Sequence, residues 1–153
     1  MMFSKIAMKT TAAAAGIATA GILTATPAFA GPEVLPFGQA AEISSSGGSD
    51  VINYTVGNLK PSGHNDGVWY SDVTARGVKG SATPVIADFN ARAGNSSTYW
   101  VMKGNEVDGL PNQPIAPGSQ TTGRLYFEVR SGTPPDSVVY RDGAGNDKVV
   151  WKG

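Results

Sequence analysis

The one histidine of the chain, His64, stands in Pro61-Ser62-Gly63-His64-Asn65-Asp66-Gly67, with a serine two residues before it and an aspartate two residues after it. A hydroxyl nucleophile, an imidazole base and a carboxylate that orients the base are the parts of an acyl-transfer site, and they act only where they converge. Residues two apart on a loop rich in Gly and Pro rarely meet on one imidazole, and the chain has no Gly-x-Ser-x-Gly turn to lift a serine above a sheet. His64 is therefore expected as a solvated loop residue. The absence of cysteine excludes thiolate chemistry, and a catalytic zinc would lack the histidines and thiolates it usually draws on.

A second grouping, Asp142-Gly143-Ala144-Gly145-Asn146-Asp147, looks like one turn of the calcium nonapeptide of β-roll proteins, with Asp142, Asn146 and Asp147 as ligands. Stacked turns share each ion, and calcium takes about six to eight oxygens, more than a single copy supplies. Turn chemistry between two strands accounts for the same residues, so no metal and no cofactor are assigned. Glu106 and Asp108 form a close carboxylate pair of the kind sugar hydrolysis needs, but they sit two apart in a Gly- and Pro-rich stretch without an aromatic platform. No catalytic residue is assigned, and the chain is read as not an enzyme. Asn95-Ser96-Ser97 fits a glycosylation sequon, which matters only in a eukaryotic secretory route. The long segment from Gly104 to Gly123 carries Leu110, Pro111, Pro114 and Ile115 where solvated side chains are expected. These either pack over the end of the domain or form a contact patch.

The elements that must position these residues begin with a leader. Lys5 and Lys9 precede an uncharged run rich in Ala, Ile, Gly and Thr, which ends in Ala28-Phe29-Ala30. That pattern predicts a signal peptide over residues 1–30, cleaved after Ala30. The run is too weakly apolar, and too close to Pro27, for a membrane span. The two lysines belong to a total of 12 basic residues, so the mature chain keeps ten against 12 acidic ones. Scattered charges in near balance leave no electrostatic footprint for nucleic acid or an anionic membrane. No membrane insertion is expected once the leader is removed.

Residues 31–48 read as a flexible N-terminal arm with one edge strand near Glu42 and Ile43, and residues 49–153 as one domain. Within it apolar residues recur at every second position, the period of a strand with one buried face. Ile52, Tyr54 and Val56 form one such face, and Trp69, Ser71, Val73 and Ala75 another, opposed to Tyr70, Asp72, Thr74 and Arg76. Val85, Ala87, Phe89 and Ala91 follow, although Asp88-Phe89-Asn90 also fits a helical turn, and Thr98 to Lys103 is a short aromatic run. Leu125, Phe127 and Val129, against Arg124, Tyr126, Glu128 and Arg130, make the clearest strand; Val138 with Tyr140 and Val149 with Trp151 close the series. Turn-rich segments separate the runs. About seven to eight short strands of this kind describe an all-β, antiparallel, two-layer sandwich, with Phe89, Phe127 and Trp151 in its core.

The blocks Gly57-Asn58-Leu59-Lys60, Gly80-Ser81-Ala82-Thr83-Pro84, Asp88-Phe89-Asn90-Ala91-Arg92, Thr122-Gly123-Arg124-Leu125-Tyr126-Phe127-Glu128-Val129 and Val149-Val150-Trp151 occur in an order that resembles the immunoprotective extracellular proteins secreted by mycobacteria and related actinobacteria. The resemblance implies an immunoglobulin-like β-sandwich, secretion with loose envelope association as a variant, and recognition by host antibodies. It carries over no catalytic residues and no cofactor. Trp69 would then stand near the place of the core tryptophan of immunoglobulin domains, without the disulfide that accompanies it there. The function expected is a non-enzymatic binding module for a protein or surface component of the envelope or host. A hydrolase of envelope carbohydrate or peptide, or a carrier of a small apolar ligand, is the alternative. N-terminal sequencing of the exported protein is expected to read Gly31-Pro32-Glu33; a product that retained Lys5 and Lys9 would mean that the segment anchors the chain.

Overall fold

The structure, a computed structural model, describes residues 31–45, 47–64, 66–102, 108–129 and 132–153. The leader expected over residues 1–30 lies outside them. Ten strands form among the described residues: β1 (Glu33–Pro36), β2 (Ala40–Ser44), β3 (Val51–Val56), β4 (Lys60–Pro61), β5 (Val68–Lys79), β6 (Phe89–Arg92), β7 (Thr98–Trp100), β8 (Gln120–Glu128), β9 (Ser137–Arg141) and β10 (Asp147–Lys152). A single 3-10 turn, Ile86–Asp88, leads into β6. One sheet runs β1-β10-β9-β6-β7. In the other, β8 pairs with Val68 to Arg76 along one edge of β5, so β3 and β4 share its opposite edge, and β2 lies outside β3. The fold is the all-β, immunoglobulin-like sandwich expected, and all pairings between the ten strands are antiparallel except β1 with β10.

The N-terminal segment departs from expectation. Residues 31–48 do not hang as an arm: β1 adds to one sheet through Val34↔Val150, and β2 adds to the other through Glu42↔Asn53. Between them Gly38, at φ 93°, turns the chain from one layer to the other, and the indole N–H of Trp151 donates to the Gln39 carbonyl at 2.9 Å. Likewise β5 runs on through Gly77-Val78-Lys79, read from composition as a turn, because β3 supplies partners as far as Val51↔Lys79. The alternation of Val85 and Ala87 does not make a strand; β6 begins only at Phe89.

The predicted inward faces are the buried ones. Tyr54, Val56, Val73, Ala75, Leu125, Phe127, Val138 and Trp151 are buried between the sheets. Phe89 is the hub: its ring meets Tyr54 edge-on at 5.0 Å, Tyr140 at 5.1 Å and Trp151 at 6.3 Å between centroids. The tryptophan that fills the core is Trp151 of the last strand, whereas Trp69 is half-buried at its margin.

Two glycines let the long segment after β7 lie against the second sheet. A Cβ on Gly123 would come to 2.6 Å from Leu110 N and 2.7 Å from the Gly109 carbonyl oxygen, and one on Gly77 to 2.9 Å from that of Ile115. At this approach Leu110 N–H donates to the Arg124 carbonyl at 3.0 Å, and Arg124 N–H to that of Asp108 at 2.9 Å. Leu110 and Ile115, candidates for a contact patch, are buried in the core; Pro111 is partly exposed and Pro114 exposed. Gly123→Ala is expected to lower unfolding stability by about 1–3 kcal/mol through overpacking. Gly143→Ala, where a Cβ meets nothing within 4 Å, is expected to stay within about 0.5 kcal/mol; chemical denaturation of both variants checks the contrast.

Candidate binding surface on the β5–β8 face

The outward residues of β5 and β8 stand opposite one another in register, Tyr70 with Tyr126 and Asp72 with Arg124. Side chains paired across a non-core face interact directly. The Arg124 guanidinium carbon lies 4.2 Å from the centroid of the Tyr70 ring, its Nε donates to Asp72 Oδ1 at 3.0 Å, and its Nη1 is 3.3 Å from Asp108 Oδ2. The Tyr126 hydroxyl donates to Asp108 Oδ1 at 2.6 Å, and Lys60 Nζ approaches Asp72 Oδ2 at 3.7 Å. The Tyr126 hydroxyl, the largest influence on Asp108, holds its carboxyl below the usual carboxylate range. Desolvation first, and the same hydrogen bond second, push the Tyr126 phenol up. Exposed ion pairs of this kind contribute about 0–1 kcal/mol each, so the network does more to fix Arg124 than to hold the fold.

Beside Arg124 opens a groove of about 660 Å³. Its walls are the 83–87 stretch that leads into β6, the 101–102 and 109–112 segments, and β8; Val85, Ile86, Met102, Leu110 and Pro111 share the lining with Thr83, Asn112, Arg124 and Tyr126, a mix of apolar and polar surface. A second depression, over Thr74 and Thr122, shares Asp72, Asp108 and Arg124 with the network and Pro111 with the groove. Arg124, with Gly109 and Pro111, thus borders both hollows.

The other residues singled out from sequence fall elsewhere. In the β4–β5 turn the Ser62 hydroxyl donates to Asp66 Oδ1 at 2.7 Å, and the backbone N–H of His64 donates to Ser62 Oγ at 3.2 Å. The serine proton is thus directed to the carboxylate and not to the imidazole, the reverse of a catalytic relay. In the β9–β10 turn, Asp142 Oδ1 accepts the backbone N–H groups of Ala144 and Asn146, both at 2.9 Å. Asp147 lies at the start of β10, where Arg92 Nη1 and Nη2 donate to its two oxygens at 2.6 and 2.8 Å. A cation at Asp142, Asn146 and Asp147 would have to displace these donors, and no group of three His, Asp or Glu placed to hold a metal occurs among the described residues. Glu106 lies outside the described residues. Asp108 joins Tyr126 and Arg124. Asn95 caps the β6–β7 turn through the Ser97 N–H.

The tyrosine-arginine-carboxylate network was missed by motif reading. Alternation places Tyr70, Asp72, Arg124 and Tyr126 on outward strand faces, but nothing local shows that β5 pairs with β8 or that Asp108 and Lys60 join them.

A disulfide-free two-sheet sandwich with Tyr54, Phe89, Phe127 and Trp151 packed between its layers belongs to the class of immunoglobulin-like β-sandwich domains. The chain belongs to the family described as "Domain of unknown function (DUF1942)", whose model matches residues 32–151. It is 28% identical over 155 residues to the immunogenic protein MPB63 of Mycobacterium bovis and to the immunogenic protein MPT63 of Mycobacterium tuberculosis, with 92% of this chain and 94% of each relative covered. The 1.5 Å crystal structure of MPT63, described as a secreted protein of Mycobacterium tuberculosis, superposes with a TM-score of 0.71 over 80% of this chain and 98% of that one. The yjhA protein of Bacillus subtilis shares the fold at 13% identity, with a TM-score of 0.54 over 78% of this chain and 98% of its own. The resemblance read from the sequence blocks is borne out.

The Arg92–Asp147 pair makes a pH prediction. Arg92, the largest influence, holds the Asp147 carboxyl below its usual value. A carboxyl depressed in the folded state contributes stability above its unfolded pKa of about 3.9, and that contribution is lost as pH falls through the folded value. Asp147→Asn is expected to cost about 1–2 kcal/mol at pH 7. The difference from the unsubstituted protein should shrink as pH drops below about 3.9, read from urea denaturation at a series of pH values.

Proposed function

We propose that the chain is an exported, non-catalytic binding module, immunogenic like the relatives that carry that description, and that it meets a protein or surface component of the envelope or host at the groove beside Arg124. The observation that carries the reading is the fixed Arg124 beside a concave hollow that combines apolar walls with placed polar groups, a combination recognition sites use to orient what they bind. A hydrolase reading finds less support, because His64, Asp108 and Asp142 stand on three separate segments and none of them lines the groove. The lining also favours a second reading, carriage of a small apolar ligand in the same groove.

Val85 is 46% exposed at the groove wall, so Val85→Glu places a charge there without opening the core. In a crosslinking pull-down from envelope and host-surface extracts, the unsubstituted protein is expected to retain a saturable partner in high salt, and Val85→Glu to lower its capture about tenfold at unchanged melting temperature. A partner held equally by both proteins would remove the groove from the reading. For the second reading, a fluorescent fatty-acid probe should bind with one-to-one saturation and be lost in the same variant.

A further inference from the structure

The outer face of the other sheet carries a second arrangement, independent of the groove. Pairing runs Val34↔Val150, Val150↔Val139, Val139↔Asn90 and Asn90↔Trp100, so these side chains form one row across all five strands on the side away from the core. Trp100 closes the row on the edge strand β7 and is 55% exposed, the only exposed tryptophan of the three. Next to it in the row, Asn90 is fully buried. Its Oδ1 accepts the Nε–H of Arg92 at 3.1 Å, while its Nδ2 has no hydrogen-bond partner among the described residues. A buried amide left half satisfied costs about 1–3 kcal/mol, and an apolar side chain in the row, as at Val139, would avoid it.

Holding Arg92 is what Asn90 does. Arg92 then makes its two-pronged contact with Asp147, whose Oδ1 is also 3.6 Å from Arg141 Nε. Arg141 is braced in turn, its Nε and Nη2 donating to the Gly145 carbonyl at 3.1 and 2.7 Å, and its guanidinium carbon lies 5.7 Å from the centroid of the Trp100 ring. Every guanidinium nitrogen of Arg92 is committed, whereas Nη1 of Arg141 has no partner among the described residues. Two arginines thus share the Asp147 carboxylate, while Asp142, the neighbour of Arg141, faces Lys148 at 3.9 Å, and the Arg141 guanidinium lies over an exposed indole.

We propose that this face binds a pyranose glycan bearing carboxylate groups. The indole is a rigid flat surface for the C–H face of a sugar ring. Arg141 Nη1 supplies a charge-assisted hydrogen bond to the sugar carboxylate, with little side-chain entropy lost because the guanidinium is already braced. That bond, stronger to a carboxylate than to a hydroxyl, selects an acidic sugar over a neutral one.

The test is isothermal titration of the purified protein with a short oligogalacturonate and with its uncharged oligogalactose counterpart. The acidic oligosaccharide should bind with saturation and the neutral one more weakly. Trp100→Ala, at an exposed position, should weaken binding about tenfold at unchanged melting temperature. Arg141→Gln should remove the preference for the acidic sugar, a ratio that a general loosening of the hairpin does not change. Val85→Glu, in the groove, should leave glycan affinity as it was. Failure of the acidic sugar to bind at about millimolar concentration, equal binding of the two sugars, or binding indifferent to Trp100→Ala overturns the proposal. Binding lost in Val85→Glu instead would place the sugar in the groove, overturning this site while leaving the groove reading in place.

Discussion

Phe89 sits where both sheets press on a single ring. Tyr54 reaches it from β3 of one sheet, and Tyr140 and Trp151 reach it from β9 and β10 of the other. Edge-to-face and offset pairs at these separations add about 0.5–1.5 kcal/mol each beyond the apolar area they bury, and without a disulfide such contacts must carry the inter-sheet attachment. The same cluster sets the position of neighbouring segments. The Trp151 indole is tied to Gln39, which fixes the point where the chain changes sheets between β1 and β2. The Tyr140 hydroxyl is bonded to Asp88 at the end of the 3-10 turn, and desolvation foremost, with that carboxylate beside it, pushes its phenol up to about 12. The stretch feeding β6 is thereby held against the core, and that stretch is one wall of the groove.

The energetics of the two layers differ in kind. Inside, burial of large side chains is worth about 1.5–3 kcal/mol apiece and is insensitive to salt. Outside, the Arg124 network is exposed, screened and worth little as stability. Its order comes from the rigidity of what lies beneath: β5 and β8 pair over nine residues, and the 108–110 segment is hydrogen-bonded along the free edge of β8 because Gly123 has no side chain to keep it away. A scaffold that draws most of its stability from its core leaves that surface available for recognition.

Much of the scaffold was legible in the sequence, because a two-residue period with one apolar face is a strong local signal. Ser71, Val73 and Ala75 were placed inward, and Tyr70 and Asp72 outward, from alternation alone. What was not legible depended on partners far along the chain. Glu33-Val34-Leu35-Pro36 is too short and mixed to announce a strand, and it becomes one only against β10, more than a hundred residues later. Gly77-Val78-Lys79 reads as a turn by composition and is held extended by β3. Leu110 and Ile115 were recognised as anomalous for a loop, but whether they packed inward depended on backbone approaches at Gly123 and Gly77 that no local pattern shows. The same holds for the surface sites: Asp72 and Arg124 are 52 residues apart, and Arg92 and Asp147 are 55 apart. Asp142 could be read as a turn residue from its neighbours, while Asp147, in the same short motif, answers to an arginine in another strand.

The two outer networks differ in what they cost. Around Arg124 every polar group is at the surface, and water can complete whatever the protein leaves open. Around Arg92 the acceptor that fixes the guanidinium is a buried amide whose other half has no partner among the described residues. Whole-domain stabilities are about 5–15 kcal/mol, so one unsatisfied buried donor is a sizeable fraction of the margin. Burial and pairing would both be better served by an apolar residue at position 90, with Arg92 left to solvent and Asp147. The arrangement instead holds Arg92, Asp147 and Arg141 as one rigid array beside Trp100, and what that array gains is geometry at the surface. Where local stability and surface geometry conflict, as they do at Asn90, the fold has kept the geometry, and such conflicts are where a function is expected to reside.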